Sequence, residues 1–178
     1  MKKGLIVIGA ILLLTGCGSK KTNNDDPSQI SYTNKFECSK SEKIKQYDLE
    51  NRNEKGMFIG TDKAKRSESP VAINEITTKL YDFNKSGDKL IAYYEIITYE
   101  YLIDGYNMED EKKFYEKKCG NYSEYGFKSC QISTKDKKIV ITKTADLESE
   151  YNKNTVSSMT KESIKNDYAG GEVYTCTE

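Results

Sequence analysis

Two long runs rich in β-branched and aromatic residues, Val71 to Phe83 and Leu90 to Ile103, restrict this chain more than any other feature. Between them lies Asn84-Lys85-Ser86-Gly87-Asp88, a cluster of turn formers with a glycine available for positive φ. Two β-prone runs joined in this way read as a hairpin. Side chains alternate between the faces of a strand. In the second run Leu90, Ala92, Tyr94, Ile96, Thr98 and Leu102 therefore share one face, and Ile91, Tyr93, Ile97, Tyr99, Tyr101 and Ile103 the other. Both faces carry apolar mass, so this run is expected to be a central strand, covered at least partly on each side.

A second hairpin is expected from Phe127 to Thr134 and Lys138 to Thr144 across Lys135-Asp136-Lys137, with Ile139 and Ile141 pointing one way and Val140 and Thr142 the other. Phe36-Glu37-Cys38 reads as a short opening strand, Ser41 to Asp48 as a second short strand, and Val173 to Cys176 as a closing one. Gly56 to Gly60 is a small apolar patch in an otherwise charged, loop-like stretch from Ser39 to Pro70.

Two helices are expected. Asn107 can cap the first, with Asp110 in the box position and Glu109 to Glu111 compensating the positive end of the dipole. Lys117 and Lys118 complement its far end and Gly120 stops it; Met108, Phe114 and Tyr115 are its expected buried side chains. The second runs from Lys161 to Ala169 behind a Thr160 cap, with Ile164 and Tyr168 at i, i+4 and Gly170-Gly171 ending it. A short helical turn is expected within Asp146 to Ser158. Hairpins with separate helices predict an α+β fold, an antiparallel sheet with two helices packed against it.

The amino terminus reads as an export signal. Lys2 and Lys3 precede an apolar run of eleven residues, Gly4 to Leu14. A membrane-spanning helix needs about 20 apolar residues, so this run fits a signal core instead. It ends in Leu14-Thr15-Gly16-Cys17, which resembles the lipobox of bacterial lipoproteins. The resemblance implies that residues 1–16 are removed and that Cys17 carries a diacylglyceryl thioether. Gly18 to Asn34 is polar and reads as a flexible tether, leaving 35–178 as one domain. Lys20-Lys21 lies beside the lipid, where it can touch anionic headgroups.

Removing the signal leaves 26 basic against 28 acidic side chains, a net charge of −2. Near-neutrality argues against a nucleic-acid partner, which needs a clustered basic face. His is absent altogether, which removes the commonest metal ligand and the usual general base.

Besides Cys17 the chain has Cys38, Cys119, Cys130 and Cys176. Four cysteines in an exported chain read as a disulfide framework with three possible pairings. Cys38–Cys176 with Cys119–Cys130 is favoured: one bond would tie the opening strand to the closing one, the other would close the short loop between helix and strand. Structural zinc sites use C-x₂₋₄-C spacing and redox dithiols use C-x-x-C, and neither occurs. No metal and no cofactor is expected.

With the lipobox, Phe36-Glu37-Cys38 after the tether, the Tyr/Thr-rich hairpin of 71–103 and the acidic-capped helix of 107–119, the chain resembles the YehR-like small lipoproteins of low-GC Gram-positive bacteria. The endings Ser163 to Tyr168 and Glu172 to Cys176 complete the likeness, while 40–70 departs from it as an insertion. The resemblance implies fold and address and transfers no catalytic residue.

Three stretches are candidate contact surfaces. Tyr93, Tyr94, Tyr99 and Tyr101 with Tyr81 and Tyr106 would form an aromatic platform, although Tyr is also an ordinary strand residue. Glu109-Asp110-Glu111 would hold a cation or, more simply, compensate the helix dipole. The loop 121–127, closed by the short disulfide, would present Tyr122, Tyr125 and Phe127 on a rigid rim, and it is the preferred contact surface. The functional expectation is a non-enzymatic, lipid-anchored extracytoplasmic domain that binds a protein or small-molecule ligand. The alternatives are an envelope enzyme using a carboxylate pair on glycans, and a structural or protective envelope module.

Overall fold

A computed structural model describes residues 31–53, 57–156, 158–169 and 173–178. Cys17 with its lipobox, Lys20-Lys21 and Gly170-Gly171 lie outside the described residues. Among the described residues the fold is α+β, a six-stranded antiparallel sheet with four helices. The strands are β1 (Lys35–Lys45), β2 (Val71–Phe83), β3 (Leu90–Tyr101), β4 (Phe127–Lys135), β5 (Lys138–Ala145) and β6 (Thr175–Thr177). The helices are α1 (Gln46–Glu50), α2 (Lys63–Glu68), α3 (Met108–Glu116) and α4 (Lys161–Ala169). Across the sheet the order is β4-β5-β3-β2-β1-β6.

Both expected hairpins form, and β3 is central, with β2 on one side and β5 on the other. Its odd-numbered face is the core face. Ile97 lies between Thr77 and Ile141, Tyr99 between Glu75 and Ile139, and Tyr93 opposite Tyr81. At one end of this face Tyr115 of α3 and Leu49 of α1 pack with Ile73, Tyr99, Tyr101, Ile139 and Ile141. At the other end Ile164 of α4 and Val156 pack with Phe36, Tyr81, Phe83 and Leu90. The opposite face departs from the expectation of cover on both sides. Tyr32 sits edge-on to Tyr94, while Ile96, Thr98 and Val140 are only half-buried. Thr and Tyr tolerate that half-wet position, so the strand stays central in the sheet without being sandwiched.

The stretch before β2 differs from its reading. β1 is one continuous strand of eleven residues, where two short ones were expected, because its whole length pairs with β2 in register from Lys35↔Asp82 to Ile44↔Ile73. Asp48 belongs to α1, and α2 had no apolar periodicity to announce it; Asp62 caps it by accepting from the N–H groups of Ala64 and Lys65. The last residues of the segment read as tether are tied down, since the Asp82 carboxylate accepts from the N–H of Thr33 (2.8 Å) and of Asn34 (2.9 Å).

Asn107 caps α3 by accepting from the N–H of Glu109 at 3.0 Å and of Asp110 at 3.4 Å. Gly120 does not stop the helix in a left-handed turn. Its φ is −58°, and the chain tightens into 3₁₀ turns at Lys117–Cys119 and Tyr122–Tyr125 before reversing at Gly126, whose φ is +75°. The Thr160 cap of α4 is reciprocal: Ser163 N–H donates to Thr160 Oγ1 and Thr160 N–H to Ser163 Oγ. Two disulfides are present. Cys38–Cys176 joins directly opposed residues of β1 and β6, and Cys119–Cys130 joins the 3₁₀ turn after α3 to β4.

A tyrosine-lined cleft as candidate functional site

Between its two apolar ends, the core face of the sheet carries a charged row. Lys79 of β2 lies opposite Glu95 of β3, and Glu95 opposite Lys143 of β5. All three alternate in phase with inward-pointing neighbours, such as Tyr81, Tyr93 and Ile141, so the strand period itself aims them inward. Above this row the helices leave a cleft of about 890 Å³, within the usual range of ligand sites. Tyr81, Tyr93, Phe127 and Ala145 complete the floor. Tyr122 and Tyr125 form one wall, Tyr151, Asn152, Thr155 and Met159 the other, and Tyr168 of α4 closes the end.

The floor is aromatic and ordered. Tyr81 and Tyr93 stack at 4.9 Å between ring centroids, and Phe127 tilts against Tyr93 at 6.4 Å. Lys143 donates to Glu95 at 2.7 Å, a half-buried ion pair, and its ammonium stands 5.3 Å from the centre of the Phe127 ring. Lys79 donates to the Tyr168 hydroxyl at 3.0 Å, and the Tyr81 and Tyr168 hydroxyls are 3.2 Å apart. Burial pulls the Lys79 pKa down, but its hydrogen bond to Tyr168 and the neighbouring Tyr174 and Glu95 more than reverse this, so it stays cationic. Burial pushes the Tyr81 and Tyr93 phenols well above their ordinary value, keeping both as neutral hydroxyls.

The two walls are fastened together. Asn152 is buried, and its amide donates to the carbonyl of Gly126 at 2.6 Å and of Asp146 at 2.8 Å. Gly126 sits in the left-handed region, and a Cβ there would lie 2.6 Å from Asn152 Nδ2. Only glycine lets the two segments approach this closely. On the far side of the same wall the Cys119–Cys130 bond holds the chain to β4.

Of the residues expected at a contact surface, Tyr122, Tyr125 and Phe127 all line the cleft, Phe127 from the floor and the two tyrosines from the wall. The expected tyrosine platform does not assemble. Tyr81 and Tyr93 reach the cleft, but Tyr99 and Tyr101 are buried at the other end of the sheet, where Tyr99 stacks on Tyr115 and Tyr101 packs against Tyr106. Tyr94 points to the opposite face. Strand alternation and the distance between the two apolar ends divide the six rings.

The acidic run also divides. Glu109 and Asp110 are exposed at the start of α3, as dipole compensation requires, but Glu111 is only 6% exposed. It accepts two hydrogen bonds from Arg52, at 2.8 and 2.6 Å, and one from Tyr101 at 2.6 Å. That pair anchors the chain at Arg52 onto α3, and Met57, Phe58 and Ile59 are exposed.

Lys79, Glu95, Lys143, Tyr151, Asn152 and Tyr168 were not singled out from sequence. The available signal was a charged residue at an inward position of each of β2, β3 and β5. Among the described residues no helix is long and apolar enough to cross a membrane, and no group of three or more Cys, Asp or Glu side chains could hold a metal. Searches against protein-family models, characterised proteins and solved structures found no match to this chain.

Proposed function

We propose that this chain is a lipid-anchored binding protein of the outer face of the cell membrane, and that the tyrosine-lined cleft holds its ligand. The observation that carries this reading is a cleft of about 890 Å³ whose walls are braced by Asn152 and by the Cys119–Cys130 bond. A site assembled before its ligand arrives avoids much of the ordering cost of binding. The address rests on residues 1–17, on their likeness to a lipobox, and on the wider likeness to the YehR-like lipoproteins. Two disulfides suit an oxidising compartment outside the cytoplasm. The enzymatic alternative asks for a pair of carboxylates across a cleft. Glu95 is the carboxylate among the described lining residues, and its partner is Lys143.

Metabolic labelling with palmitate tests the anchor: the label is expected on the wild-type chain and is lost in Cys17→Ser. For the cleft, thermal shift against a panel of envelope saccharides, peptides and small metabolites is expected to give hits that vanish in Thr155→Trp, which fills the cleft from an exposed position. Hits that survive this substitution would move the binding site elsewhere.

A further inference from the structure

The cleft mixes ring faces with a charged row in which, among the described residues, the ammonium groups of Lys79 and Lys143 flank the single carboxylate of Glu95. Lys143 is neutralised by Glu95, whereas among the described residues no carboxylate pairs with Lys79. Its ammonium is half-buried among phenols, 3.0 Å from the Tyr168 hydroxyl and 5.2 Å from the centre of the Tyr174 ring. Glu95 lies between Lys79 and Lys143, so this row of three side chains carries one positive charge in excess, and an anion brought by a ligand would pair with it. At the rim, Tyr125 and Tyr151 are each 61% exposed, so two rings are open to stack on a ligand. The Glu95–Lys143 pair sets an acceptor and a donor side by side, the complement of neighbouring hydroxyls on a sugar ring.

An extended peptide fits this site poorly. The floor is the face of a sheet whose N–H and C=O groups are engaged in the ladders between β2, β3 and β5. Peptide capture by strand addition needs a free edge. Among the described residues the cleft offers ring faces, neutral hydroxyls, the Glu95–Lys143 ion pair and the Lys79 ammonium.

Resting on the cleft as the binding site, we infer that its ligand is an acidic saccharide, with a pyranose ring against the tyrosine rim and its carboxylate or phosphate on Lys79. Calorimetric titration of the full-length chain with trigalacturonate, with a hexose phosphate and with a neutral N-acetylglucosamine trimer tests this. Binding of either acidic sugar is expected, roughly tenfold or more tighter than the neutral one, the worth of a hydrogen-bonded charge pair. The first two arms tell a carboxylate from a phosphate. Lys79→Gln is expected to remove the preference for the acidic sugar while leaving the neutral sugar within about twofold. Tyr125→Ala and Tyr151→Ala, both at exposed positions that leave the fold intact, are expected to weaken all sugars alike. Equal binding of acidic and neutral sugars, or a preference unchanged in Lys79→Gln, overturns the inference. Tight binding of oligoglutamate in place of every sugar, lost in Thr155→Trp, also overturns it and leaves the cleft as a binding site. If no compound binds in a way that Thr155→Trp abolishes, the inference and the proposed function fall together.

Discussion

Asn152 and Gly126 depend on each other for their positions. The Asn152 amide donates to the Gly126 carbonyl at 2.6 Å, and the same nitrogen occupies the space that any Cβ on Gly126 would need. Through this one contact the 3₁₀ turn and the 146–156 segment become a single frame around the cleft.

Gly126→Ala is therefore expected to destabilise the chain by roughly 2–4 kcal/mol, from left-handed backbone strain and from overpacking. Asn152→Ala is expected to cost roughly 1–3 kcal/mol for the carbonyls it leaves unpaired. The double variant should cost less than the sum, because removing the amide relieves the clash. Urea unfolding of the four proteins measures this, and strict additivity would contradict the geometry.

Arg52→Met leaves the buried Glu111 with the Tyr101 hydroxyl as its remaining partner among the described residues. A loss of roughly 3–5 kcal/mol is expected, the usual result of stranding one member of a buried pair. Arg52→Met with Glu111→Leu should recover most of it, since no charge then remains buried. Equal losses in the single and the double variant would mean that the pair is held by packing against Phe114 alone, whose ring centre lies 4.2 Å from the guanidinium.

The two disulfides close loops of very different length, with sequence separations of 138 and 11. On chain entropy the Cys38→Ser/Cys176→Ser chain should lose about 5 kcal/mol and the Cys119→Ser/Cys130→Ser chain about 3 kcal/mol. The second bond fastens the segment that carries Tyr122 and Tyr125, so its loss is expected to weaken ligand binding more than loss of the first at a temperature where both proteins are folded. Comparable binding by both would remove the short bond from the account of the site.

Alkaline pH acts through the buried phenols. Burial raises the pKa of Tyr81, Tyr93, Tyr99, Tyr101 and Tyr115 well above the ordinary value of 10.0, and pushes Tyr32 up to about 12. The folded chain thus holds protons that the unfolded chain releases near pH 10. The contribution of these groups is complete below that pH and is lost above it. Stability is therefore expected to fall with rising pH once the unfolded phenols ionise, chiefly through the buried Tyr81, Tyr93, Tyr99, Tyr101 and Tyr115 and little through the half-buried Tyr32. Phenolate absorbance from the buried tyrosines is expected to appear only together with unfolding. Ionisation of Tyr81, Tyr93, Tyr99, Tyr101 and Tyr115 near pH 10 in a chain that is still folded would refute this.

Local chemistry made much of the fold legible. Period-two alternation and turn residues marked both hairpins, since a strand's two faces are written directly into its order of residues. Asn107 and Thr160 marked both long helices because a cap is a short-range bond. The β1 strand and α2 were misread for the same reason in reverse: their residues are charged, and their state follows from pairing with β2 and from the Arg66–Asp48 ion pair. At the site, Tyr122, Tyr125 and Phe127 were legible as a stapled rim. Lys79, Lys143 and Asn152 were not, because each belongs to a segment distant in sequence from the others.

Chain order by itself determined the alternating faces, the caps, the turns and the economy of the cysteine spacing, all of them set by interactions within a few residues or by loop length. Tertiary structure alone decided that β5 lies beside β3, that α3 and α4 cover opposite ends of one face, and that a gap remains between them above Lys79, Glu95 and Lys143. The physical reason is that strand partners and the space between packed helices are settled by contacts closing long loops, and no local preference encodes which of those closures wins.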